Sequence, residues 1–241
     1  MRDKLSVITC KRYISVLTIL VVLGLIVFCN EESDEQNIVR ATVNYEGSVV
    51  EIAQTYGDEY RLSNNLDTIK YIRNDELFQT LDYEHKCDVI EAVLRCEGRY
   101  LGLSQFDIVF EELPDTTQGQ YDHASRTIVI NAKMVRNGDM PGASSKEILD
   151  CCLHEAYHCY QHMMAEVYVD LTPEQRNLLA FHNLGVAEWV ENMCDYNYAS
   201  DDVSDTIEYM YQPLEMDARA YAEKSVIEYY VAIDGLLEDA K

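Results

Sequence analysis

Residues 154–158 read His-Glu-Ala-Tyr-His, two imidazoles four residues apart with a carboxylate beside the first. Residues four apart on an α-helix lie on one face, a turn from each other. His154 and His158 can therefore reach one tetrahedral zinc ion from the same side. Glu155 lies about 100° round the helix from His154, where it can reach a water at the metal rather than the metal itself. Zinc lowers the pKa of such a water, and Glu155 is then the base that takes its proton as it attacks a peptide carbonyl. The pattern has only three fixed letters and also arises by chance, so the residues around it must carry part of the argument.

Two histidines leave a third ligand to find. His162 continues the series, but its Cα lies roughly 12 Å along a straight helix from that of His154, too far for three imidazoles to close on one ion. It reads as a packing or rim residue. A metzincin would need a third His six residues after His158 with a Gly ahead of it, but Met164 stands where that His belongs. Thermolysin-like enzymes bring a Glu from a following helix. Two are candidates: Glu188 in GVAEWVENM and Glu215 in PLEMDARAYA, with Glu215 favoured. Asp217 or Glu191 could hydrogen-bond a ligand His from behind, as zinc sites usually require. Tyr211, Tyr221 and His182 are candidates for stabilising an oxyanion.

These side chains need elements to hold them. Residues 66–82 and, more clearly, 84–101 carry apolar residues at helical spacing, the latter through Val89, Ala92, Val93 and Cys96. The period then changes. FDIVFEEL (106–113) alternates like a strand, and RTIVIN (126–131) is β-branched, so a small antiparallel sheet is expected. Asn137, Gly138, Pro141 and Gly142 mark a loop. Ser144 with Glu147 forms a capping box for a helix over about 145–167, which carries the motif among Ile148, Leu149 and Leu153. Thr172 and Pro173 start another helix, expected to run through Trp189 to Cys194, and Pro213 opens a last one over 213–238. The fold class is α+β, mainly helical.

The chain has 241 residues with 10 Gly and 4 Pro, enough for one domain plus an extra segment. The formal net charge is −24, and the acidic excess lies beyond residue 30. So acidic a surface repels phosphate backbones, which makes nucleic acid an unsuitable partner. Residues 14–29, ISVLTILVVLGLIVFC, are apolar and uncharged, with Arg2, Lys4, Lys11 and Arg12 ahead of them. Three readings stay open: a signal anchor with the bulk of the chain outside the cytoplasm, a cleaved signal peptide with secretion, or a lipoprotein acylated at Cys29. Residues 31–65 follow as a polar juxtamembrane stalk, and 66–241 as the catalytic domain. Cys87, Cys96, Cys151, Cys152, Cys159 and Cys194 have no disulfide-scaffold spacing, so free buried thiols are expected for most.

HEAYH followed by a helix reading E-x-D-A-x-x-Y-A resembles the gluzincin group of zinc peptidases, in particular the small ImmA/IrrE-type proteins. The resemblance covers roughly residues 84–235. It implies a minimal zincin-like domain, with a small antiparallel sheet packed on the HExxH helix. It also implies Zn2+ held by His154, His158 and Glu215, Glu155 as catalytic base, and a peptide or protein substrate. A non-catalytic zincin-fold binding or sensor module is the alternative. A helical protein with a chance motif is a third reading.

Overall fold

A computed structural model describes residues 42–45, 48–51, 57–136, 143–177, 185–198 and 203–240. The apolar run at 14–29, the 137–142 loop and His182 lie outside them. Strands β1 (Thr42–Tyr45) and β2 (Ser48–Glu51) form an antiparallel hairpin. Residues 58–60 and 62–65 are 3-10 turns. Within them, Tyr60 and Leu62 pack against the core.

The segment expected as one helix over 66–82 is broken. It contains α1 (Leu66–Ile69), a 3-10 turn (Lys70–Arg73) and α2 (Asp75–Gln79). Asn74 is extended and caps α2 by accepting from the Leu77 N–H, which interrupts the helix there. Helix α3 (Tyr83–Tyr100) is continuous, and the Asp82 side chain caps it by accepting from His85 N–H.

Next come β3 (Asp107–Glu111), β4 (Gly119–Asp122) and β5 (Thr127–Asn131), in the spatial order β3-β5-β4. The sheet is mixed, not antiparallel. β4 pairs antiparallel with β5, while β3 pairs parallel with β5, Val109 opposite Val129. The correction comes from GQYD, too short and polar to read as a strand. Because it is one, the chain reverses twice between β3 and β5, and the two apolar strands run the same way. Buried Asn131 holds the connection open for this crossing. Its side chain donates to the Pro114 and Thr117 carbonyls and accepts from the Leu113 N–H. The β4–β5 turn is closed by Asp122, which accepts from Ala124 N–H and the Ser125 hydroxyl, with Arg126 at φ 54°.

Helix α4 (Ala132–Val135) precedes α5 (Ser145–Asp170), whose N-terminus carries the expected Ser144–Glu147 capping box. A second capping box, Thr172 with Gln175, starts α6 (Pro173–Arg176), which lasts one turn. The long helix expected from 172 to 194 is not formed: α7 (Val186–Cys194) starts afresh after Gly185, whose φ of 68° is left-handed and ends helical continuity. Helices α8 (Val203–Tyr211) and α9 (Pro213–Asp239) complete the order. The protein is thus mainly helical with one small mixed sheet.

Helix α5 is the centre of the molecule and packs on α9, α3, α7 and β4. Its Ile148, Leu149 and Leu153 join Ile90, Val93, Ile128, Ile130 and Val226 in one buried core. Against the expected transmembrane helix stands a finding on the described residues, to which the run at 14–29 does not belong. Among the described residues no helix is long and apolar enough to cross a membrane. The long ones, α5 and α9, carry charged residues along their lengths.

Candidate metal centre

Helix α5 presents His154 and His158 side by side, their rings 4.5 Å apart at 88° and their Nε2 atoms 2.9 Å apart. Glu215 enters from the third position of α9. Its Oε2 lies 3.4 Å from His154 Nε2 and its Oε1 3.2 Å from His158 Nε2. All three donor atoms fall within 4.8 Å of one another, and among the described residues this is the one such group. The carboxylate is 1% exposed and the two imidazoles 16% and 12%. The centre is thus buried but reachable from one side.

What aims His158 can be read from a relay. Gln161, wholly buried one turn further on, donates its amide Nε2 to the Leu214 carbonyl at 3.0 Å. That bond orients the amide so that Oε1 faces His158 Nδ1 at 2.8 Å and accepts its proton. Nδ1 of His158 is thereby committed to Gln161 and Nε2 faces Glu215: protonated, Nε2 donates to that carboxylate, and on losing that proton it would offer a metal its lone pair. Leu214 is the neighbour of Glu215, so one glutamine registers α5 against the turn of α9 that supplies the carboxylate.

Burial alone would push the Glu215 carboxyl up. Hydrogen bonds from His154 and His158 and from the Tyr196 hydroxyl, 2.6 Å from Oε1, override it and hold the group well below the usual carboxylate range. Burial would likewise lower His158, but Glu215 and Glu155 raise it. Arg219 stands 3.8 Å from Glu215 on the solvent side.

Glu155 is buried between α5 and β4. Burial raises its pKa, the two imidazoles oppose that, Glu215 adds to it, and the backbone N–H of Tyr121 donates to the carboxylate. The Tyr121 N–H therefore points away from β5, and the outer edge of β4 faces the motif. The approach depends on Gly119: a Cβ there would meet Cys151 Sγ at 2.8 Å, Glu155 Cγ at 3.0 Å and the Val129 carbonyl at 3.2 Å.

The structure brings His154, Glu155, His158 and Glu215 together. Glu188 is exposed on α7 and takes no part. Asp217 accepts from Trp189 Nε1 at 2.7 Å and Glu191 is exposed, so neither backs a ligand histidine; Gln161 does. His162 stacks on His123 at 4.4 Å, in keeping with a rim residue. Tyr211 is 71% exposed and Tyr221 donates to Glu97, away from the centre. Tyr196 and Tyr209 bear on Glu215 instead. Local pattern marked neither tyrosine, since both reach the centre from separate segments. Gln161 had a signal, being a polar residue three positions after His158 in an apolar helix. All six described cysteines are unpaired, with Cys194 exposed, Cys87 half-buried and the rest buried. No protein-family model, curated protein or solved structure matches this chain.

Proposed function

We propose that the protein is a zinc-dependent peptidase of the gluzincin type, similar to minimal ImmA/IrrE-like zincins. The observation that carries the reading is the convergence of His154 Nε2, His158 Nε2 and the Glu215 carboxylate next to a buried Glu155. The donor set fits the ion: two imidazoles and one carboxylate leave a tetrahedral position open, as in catalytic zinc sites. The Gln161 relay fits it too, because it occupies His158 Nδ1 and leaves Nε2 as the nitrogen that would coordinate. When bound, zinc would act as a Lewis acid on water and on the scissile carbonyl.

The chain's own groups would do the rest. Glu155 takes a proton from the attacking water and returns it to the leaving amine, and burial raises its proton affinity toward that task. β4 is an edge strand among the described residues, and its outward backbone groups other than the Tyr121 N–H can align an extended peptide across the motif. Gly119 supports the reading, because the strand can reach the helix only where no side chain intervenes. Tyr196 and Tyr209 steady the Glu215 carboxylate.

Metal analysis and peptide hydrolysis on the purified chain test this. One zinc per chain, lost in His158→Ala and in Glu215→Ala, is expected. Glu155→Gln should keep the zinc and lose roughly 10²–10⁴-fold in hydrolysis of a generic peptide library. A zinc-free wild type, after incubation with the metal, would sink the reading. Zinc without any Glu155-dependent hydrolysis would favour a binding module.

A further inference from the structure

On another side of α9 lies a cavity of about 520 Å³ that the metal centre does not use. It opens between the 3-10 turns at 58–65, the C-terminal half of α3 and the later turns of α9. A volume of this order suits a small organic molecule. Its walls include Tyr100, Tyr221, Tyr229 and Leu236, and its lining includes Glu97, which is 1% exposed.

Glu97 is the anomaly. Tyr221 donates its hydroxyl to Oε1, and Tyr229 also favours the charged form, but Oε2 is buried with no hydrogen-bond partner among the described residues. Arg61 and Arg99 also line the cavity, but among the described residues no basic side chain figures among the groups that shift Glu97. The charge that acts on it, Glu228, is of the same sign and also lines the cavity. Arg99, two residues along α3, gives its Nη2 to Asp58 at 2.9 Å, while its Nε is the other buried side-chain atom with no partner among the described residues. A buried carboxylate without a counter-charge is costly, and burial pushes its pKa up to about 7.

We propose that this cavity binds a small organic ammonium compound with an apolar or aromatic body. The ammonium would give Glu97 Oε2 a donor and a counter-charge. The tyrosine rings would face the cation and the body. An acceptor oxygen on the same molecule would satisfy Arg99 Nε. The acidity of the chain, −24 overall, favours a cation over an anion as the guest.

The test uses the full chain with 2-phenylethylammonium and, as its neutral counterpart, 2-phenylethanol, titrated calorimetrically with and without a chelator. Saturable one-to-one binding of the amine is expected, at least roughly tenfold tighter than the alcohol, and unchanged by the chelator. Glu97→Gln keeps the shape and the Tyr221 contact and should remove that preference. Absence of amine binding, equal binding of the alcohol, or loss of binding with the chelator would each overturn the proposal. The comparison of amine with alcohol on the wild type decides even if the variant fails to fold.

Discussion

Gln161 has no chemistry of its own, yet it holds the proton of His158 in one place through two hydrogen bonds. Leucine has a similar volume and makes neither bond. Gln161→Leu should weaken metal binding by roughly 10–100-fold, measured by competition with a chromophoric chelator. Unchanged affinity would mean that packing alone aims the ring. Glu97 gives a second prediction at this scale. Burial raises its folded pKa to about 7, against an ordinary value of 4.5. The folded chain therefore binds the extra proton between those values. The resulting stability is fully present below about pH 4.5 and is lost as pH rises toward 7. Denaturant titrations should find Glu97→Gln gaining on the wild type by about 3 kcal/mol across that window. Parallel stability curves for the two proteins would show that the group titrates normally.

At the scale of elements, the contact between β4 and α5 rests on one missing methyl group. Gly119→Ala forces its Cβ against Cys151, Glu155 and the Val129 backbone. Neither a central helix nor a paired strand can yield freely, so a loss of about 1–3 kcal/mol is expected in chemical denaturation. Adding Cys151→Ala removes the closest of the three contacts and should recover part of the loss. Strict additivity of the two changes would show that the contact does not limit the fit.

Across the whole molecule, the candidate ligands tie together the two longest helices. His154 and His158 belong to α5 and Glu215 to α9, whose mutual packing is the most extensive in the fold. An ion that binds only this folded arrangement stabilises it by mass action, by about 2.7 kcal/mol at a hundredfold excess over its Kd. Chelation should therefore lower Tm by several degrees in the wild type and leave Glu215→Ala unmoved. Equal thermal responses in both proteins would mean that the metal acts elsewhere.

How much of this was legible follows from how local each feature is. The pairing of His154 with His158 is a property of helix pitch, and the start of α5 is a property of Ser144 and Glu147 three residues apart. Both could be read before any fold was known. The order of the sheet could not, because it turned on four residues of β4 that become a strand only by pairing with β5 and packing on α5.

Sequence by itself determined the two imidazoles, the neighbouring glutamate, the helix that carries them and two glutamates from which a third ligand could come. Tertiary structure decided between those glutamates, since only the rotation of each helix against its neighbours buries Glu215 and leaves Glu188 in solvent. It also decided that Gln161, rather than an acidic residue, backs His158, and that Glu97 stays buried without a counter-charge. Each depends on which distant side chains meet across packed helices, and no spacing along the chain encodes that meeting.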